Sequence, residues 1–166
     1  MAEQQPLPWL YPYREDPQHT RLGQPVFRPF VPVSLAVAGA STPELEGLID
    51  TGADGVLASD LLADELGLDL SQNEGEARHA VGGRTVNARY KTVALRLHHH
   101  DAGPDGLREW EALVGFVEGW HSFGLVLLGS VGFLDRWTVT ANRFAQAVAV
   151  EDRNAFDDRF GVVEAP

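Results

Sequence analysis

The 166-residue chain carries 24 acidic and 13 basic residues, a net charge of −11, with 44% hydrophobic residues, the balance of a soluble globule. That sign argues against binding a phosphate backbone, which needs a basic surface, and no run nears the ~20 apolar residues of a membrane-spanning helix. With no cysteine in the chain, disulfides, thiol catalysis and thiolate zinc sites are excluded together.

The N-terminal segment, MAEQQPLPWL, has neither a basic nor an apolar stretch of the kind secretion signals use, so a cytoplasmic protein is expected. Seven of the ten prolines fall by residue 32. Residues 1–28 show no helical or strand period and are expected to form an extended arm. Trp9, Tyr11 and Tyr13 are candidates to pin it to the body or to a second subunit. From Pro29 the texture changes. In PFVPVSLAV the large apolar residues Val31, Val33, Leu35 and Val37 alternate, which predicts a half-buried strand. A turn follows, then the strand ELEGLID and a third short strand over residues 55–58. Ser59 reads as an N-cap, with Leu61, Leu62 and Leu66 on one face and Gly67 after the end, so one short helix is expected.

Beyond that helix, strands return. RHAVGGRTVNARYKTVALRL carries Gly82-Gly83 between two extended arms, a hairpin signal. In the second arm Val86, Ala88 and Tyr90 share one parity and Val93, Leu95 and Leu97 the other, which predicts a bulge or kink near Lys91-Thr92. HHHDAGPDGLRE reads as a loop, EWEALVGFVE and GLVLLG as strands, and RWTVTANRFAQAVAV as a hairpin turning at Asn142-Arg143. Residues 151–166 read as a charged tail. The expected fold is all-β, a closed or partly open barrel with one short helix.

Within this series LIDTGADGVL raises a chemical question, because Asp is a poor strand former and an ionised carboxylate is costly to bury. The stretch LIDTGAD resembles the signature of retropepsin-like aspartic proteases, an apolar pair followed by Asp-Thr-Gly-Ala. Three further features arrive in that family's order: GVLASDLLADELGL directly after the motif, the Gly-tipped hairpin AVGGRTVNARY where the family has its flap, and LVLLGSVGFLDRWTV as its closing apolar-Gly element. The resemblance spans residues 29–150, which would form the protease domain, and LLGSVGFLDR looks most like bacterial single-domain members.

That resemblance implies an acid-protease barrel and an aspartic endopeptidase without metal or other cofactor. Asp50 is then the catalytic carboxylate, Thr51 braces the two active loops across a dimer, and Gly52 brings a backbone N–H to the carboxylate. Ala53 and Asp54 would bond the backbone of an extended polypeptide substrate, and Gly82 and Gly83 would form the flap tip. Val56, Val81 and Leu127 are expected to line pockets. No second Asp-Ser/Thr-Gly occurs in the chain. A pair of carboxylates therefore requires a homodimer, Asp50 facing its symmetry mate. The chain departs from retroviral members at Ser130, where they often carry an Arg that pairs with the residue matching Asp54. A non-catalytic peptide-binding or regulatory module on the same barrel is the alternative. A glycosidase-like use of Asp50 would need a second carboxylate at a set separation.

Other signals carry blander readings. Three consecutive histidines, His98, His99 and His100, cannot all face one ion from a strand, because neighbours point to opposite sides. His79 reads as a surface histidine, His121 has no Ser or Cys nucleophile motif beside it to make a hydrolase triad, and Trp110, Trp120 and Trp137 read as core or interface aromatics.

Overall fold

The computed structural model describes residues 8–120 and 124–161, so His121 lies outside the described residues. Strands dominate: β1 (Trp9–Pro12), β2 (Arg14–Arg21), β3 (Gln24–Arg28), β4 (Phe30–Val37), β5 (Ala40–Ser41), β6 (Leu45–Ile49), β7 (Val56–Ser59), β8 (Gly75–Val81), β9 (Arg84–His98), β10 (Leu107–Val117), β11 (Leu125–Leu128), β12 (Trp137–Asn142) and β13 (Ala147–Asp152). Two α-helices join them, α1 (Asp60–Glu65) and α2 (Arg153–Phe160). The described chain divides into two compact units, residues 31–133 and residues 8–30 with 134–161.

The first unit is a closed barrel. Hydrogen bonding runs β4-β6-β11-β7-β10-β9, and β9 pairs back to β4, so six strands complete the ring. Closure removes the unpaired edges that an open sheet leaves to aggregation. The pairing is mixed: β6 with β11 and β7 with β10 are parallel, whereas β9 with β10 and β4 with β9 are antiparallel.

Alternation decides what fills the barrel. In β6 Leu45 and Ile49 point inward and are buried, while Glu46 and Leu48 are half-exposed on the other face. Val33, Leu35, Val56, Leu95, Leu97, Val114, Val126 and Leu128 are core residues as well, each fully buried. Gly47 sits among them because a Cβ there would stand 2.7 Å from Leu128 Cδ1. The half-buried strand expected at β4 is instead buried from Phe30 through Ala36. Ser34 tolerates this because its hydroxyl meets His98 Nε2 at 2.9 Å.

Helix α1 forms where the N-cap signal placed it, with the Ser59 side chain accepting from the Leu61 N–H. It buries Leu62 and Ala63, with the C-cap Leu66 buried after it, and packs on β7 and β10, while Leu61, expected on the same face, is exposed. The hairpin also forms: β8 and β9 meet at Gly82-Gly83, with φ of +57° and +78°, the paired left-handed conformation of a two-residue turn.

The expected bulge at Lys91-Thr92 is absent. β9 keeps one continuous register against β10 from Ala88 to His98. The apolar parity changes because the strand serves two apolar bodies on opposite faces. Val93, Leu95 and Leu97 enter the barrel, while Val86, Ala88 and Tyr90 join a separate cluster described below. Where β8 gives out, the Glu74 carboxylate accepts from the N–H and hydroxyl of Thr92, each at 2.8 Å, and so completes the edge.

The second unit corrects two expectations. The proline-rich N-terminal segment is not free of regular structure: β1 pairs with β13 and β2 with β3. Pro17 is tolerated because the β2–β3 ladder is interrupted between Glu15 and Thr20, where it sits. Tyr11 is buried, which raises its phenol pKa, and Tyr13 donates its N–H to Gln146 O at 2.7 Å. The charged tail does not trail off at its start but forms α2. Asp152 caps it by accepting from the Ala155 N–H at 3.0 Å, and Arg159 pairs with the buried Glu151 on β13. The hairpin expected at Asn142-Arg143 is present as β12–β13.

Candidate active site

Asp50 follows β6 directly, and its N–H continues the ladder by donating to Leu128 O at 3.1 Å. By strand alternation it shares the outer face of β6 with Leu48, away from the barrel interior. It is half-buried. The chain then turns sharply. Ala53 N–H donates to Asp50 O at 3.2 Å, and Gly52 N–H donates to Asp50 Oδ1 at 2.9 Å. One carboxylate oxygen is thus fixed by the backbone, which settles the side chain's orientation and leaves Oδ2 for other partners. A Cβ on Gly52 would come within 3.3 Å of Oδ1, so glycine suits the position. Thr51, Gly52 and Asp54 are exposed and Ala53 half-buried, all on one loop.

The segment after β11 clasps this loop. Ser130 N–H donates to Ala53 O and Val131 N–H to Asp54 O, both at 2.9 Å. Gly129 lies so close beneath that a Cβ there would meet Ala53 O and Gly55 O at 2.4 Å each. Ser130 thus meets this loop through its backbone N–H.

Beside Leu48, on the same outer face, lies a second apolar body: Leu57, Ala88, Val117 and Leu127, with Leu48, Val81, Val86, Tyr90 and Trp120 half-buried around it. Of the three residues expected to line pockets, Val81 and Leu127 belong to this cluster. Val56 does not. It is fully buried in the barrel, and alternation gives the outward position to its neighbour Leu57. Gly82 and Gly83 form the exposed hairpin tip next to Val81.

The motif reading passed over four residues of this face: Leu48, Tyr90, Trp120 and His79, whose Nε2 lies 2.5 Å from Tyr90 Oη. The available signal was the even parity of Val86, Ala88 and Tyr90, opposite to the barrel-facing set. Burial first, and then the Asp54 carboxylate, raise the Tyr90 phenol pKa.

The remaining candidates have ordinary surroundings. His100 pairs with Glu44 at 2.9 Å, and burial lowers the pKa of His98, the imidazole on Ser34. Trp110 is buried and donates its indole N–H to Gly132 O at 2.9 Å. Trp137 is half-buried on β12. Among the described residues no group of three or more His, Asp or Glu is placed to hold a metal ion, and no helix is long and apolar enough to cross a membrane.

No family model and none of the curated proteins matches the chain. Among solved structures it is similar to a retropepsin-like aspartic protease from Rickettsia conorii. The two are 16% identical over 74% of this chain and 88% of that one, with a TM-score of 0.46.

Proposed function

We propose that the chain is an aspartic endopeptidase of the retropepsin type, its protease domain spanning residues 29–150 and its active site completed by a second copy. The observation that carries this reading is the LIDTGAD loop: one half-buried carboxylate, oriented by the Gly52 N–H, on the strand face of Leu48, whose apolar cluster also takes in Val81 at the foot of the Gly82-Gly83 turn. Hydrolysing a peptide with water requires a base for the water's proton and an acid for the carbonyl oxygen. Two adjacent carboxylates supply both, because the second ionises with difficulty beside the first, as in aspartic proteases at large. Each chain offers one such motif, so the pair is Asp50 with Asp50 of its homodimer mate.

In this proposal the other residues serve the pair. Gly52 N–H holds each carboxylate, and Thr51 braces the two loops across the dimer axis. An extended polypeptide lies as an added strand against Ala53 and Asp54. The Gly82-Gly83 tip closes over it and excludes water. Two carboxylates suffice for the proton transfers, so the reaction calls for no metal or other cofactor.

A peptide-binding module is the second reading, favoured by the single carboxylate that one chain presents. Substituting Asp50 by Asn separates the two, since Asn keeps an oxygen for the Gly52 N–H. Cleavage of a peptide library should fall by roughly 10³-fold or more, with circular dichroism and peptide binding unchanged. Equal cleavage by Asp50→Asn and wild type would refute the aspartic mechanism.

A further inference from the structure

The apolar face beside Asp50 contains a polar contact that the roles above leave unused. The register of β8 on β9 pairs Gly75 with Tyr90, Ala77 with Ala88, His79 with Val86 and Val81 with Arg84. These side chains share one face of the hairpin, the face that lays Val81, Val86 and Tyr90 on the cluster of Leu57 and Leu127. His79 stands four residues farther out along β8 than Gly75, the register partner of Tyr90. Its Nε2 nevertheless reaches the phenol oxygen at 2.5 Å, with ring centroids 6.0 Å apart. Between them on β8 is Ala77, small enough for the two rings to meet above it.

The two ends of this bond are anchored unequally. Tyr90 belongs to the barrel: it pairs with Gly115 on β10, and a Cβ at Gly115 would stand 3.0 Å from two atoms of its ring. Its place is thus built into the body. By contrast β8 is the last strand of its sheet, bonded to β9 alone. On the opposite face, Glu76 and Arg89 are 3.6 Å apart and both well exposed, a pair worth little in water. The turn is two exposed glycines. Besides its ladder to β9, what ties the outer part of β8 to the body is the apolar contact of Val81 and the His79–Tyr90 bond.

We infer that His79 is a positioning residue for the hairpin, acting through Tyr90 to hold the outer half of β8 curled toward the apolar face beside Asp50. The inference rests on reading that face as the substrate cleft. A peptide strand laid against Ala53 and Asp54 is then met by a hairpin already bent toward it, which lowers the ordering cost of binding. The effect belongs to binding, not to the proton transfers at Asp50, so it acts on KM and leaves kcat nearly alone.

Three variants of the full chain test this: His79→Phe, His79→Gln and Tyr90→Phe. Phe keeps a ring of similar size and removes the nitrogen, while Gln restores a polar atom for the phenol. In His79→Phe, hydrogen exchange of the β8 amides should quicken roughly five- to tenfold, with the β10 amides unchanged. KM for an extended peptide should rise by a similar factor and kcat should stay within about twofold. Tyr90→Phe should match His79→Phe, the double variant should be no worse than either, and His79→Gln should recover most of both readouts.

Exchange is measured in the Asp50→Asn protein as well, so it does not depend on catalysis. Unchanged β8 exchange in His79→Phe, strictly additive effects in the double variant, or His79→Gln behaving like His79→Phe would each overturn the inference. A quickened β8 in a protein that cleaves nothing would leave the positioning role standing and remove the protease reading instead.

Discussion

Gly129 shows how a single atom decides the geometry around Asp50. Its backbone passes under the loop so closely that a methyl group would enter two carbonyl oxygens, those of Ala53 and Gly55, at 2.4 Å. The Ala53 oxygen also accepts the Ser130 N–H, so moving it would cost that contact to the loop that carries Asp50. Gly129→Ala is therefore expected to destabilise the fold by about 3 kcal/mol or more, the upper range for overpacking. Gly82→Ala meets nothing within 4 Å and carries only the strain of φ +57°, about 1 kcal/mol. Urea denaturation of the two variants checks the contrast, and equal midpoints would contradict it. At this scale the sequence was informative about Asp50, Gly52 and the hairpin glycines, because each has a motif or a turn type attached. It was uninformative about Val56 against Leu57. Both are apolar neighbours, and only the register against β10 and β11 decides which one turns outward.

Elements announced themselves when their signals were local. The helix after Ser59 and the Gly82-Gly83 hairpin rest on caps and turn residues and are present, and the hairpin expected at Asn142-Arg143 turns one step on, over residues 143–146. The N-terminal strands were illegible because their partners lie far away in sequence: β1 is completed by β13, some 140 residues on. The β2–β3 hairpin also carries an acid-sensitive clasp. Asp16 is buried, which raises its carboxyl pKa, but the Gln18 N–H, His19 and the Arg28 guanidinium at 2.6 Å outweigh this and lower it overall. A lowered folded-state value means that stability is fully present above the unfolded carboxylate pKa of ~3.9 and is lost as pH falls through the folded one. The hairpin should hold at pH 6 and loosen progressively below about pH 4, followed by the Gln18 amide resonance. Asp16→Asn should abolish that pH response. An unchanged acid transition in the variant would place the sensitivity elsewhere.

For the molecule as a whole, the six-stranded ring depends on the β4–β9 closure and on parallel pairs between strands distant in the chain. Alternation predicted a barrel but not its strand order, since any cyclic order buries the same residues. The same limit applies to the site. One sequence displays one Asp-Thr-Gly, and the second carboxylate of the proposed pair belongs to another copy. Mixing wild type with Asp50→Asn in rising proportion, with the subunits allowed to exchange, tests this most directly. If catalysis needs Asp50 from both copies, total peptidase activity falls as the square of the wild-type fraction. A fall in simple proportion to that fraction, or a wild-type protein that cleaves no peptide, would contradict the paired-aspartate account.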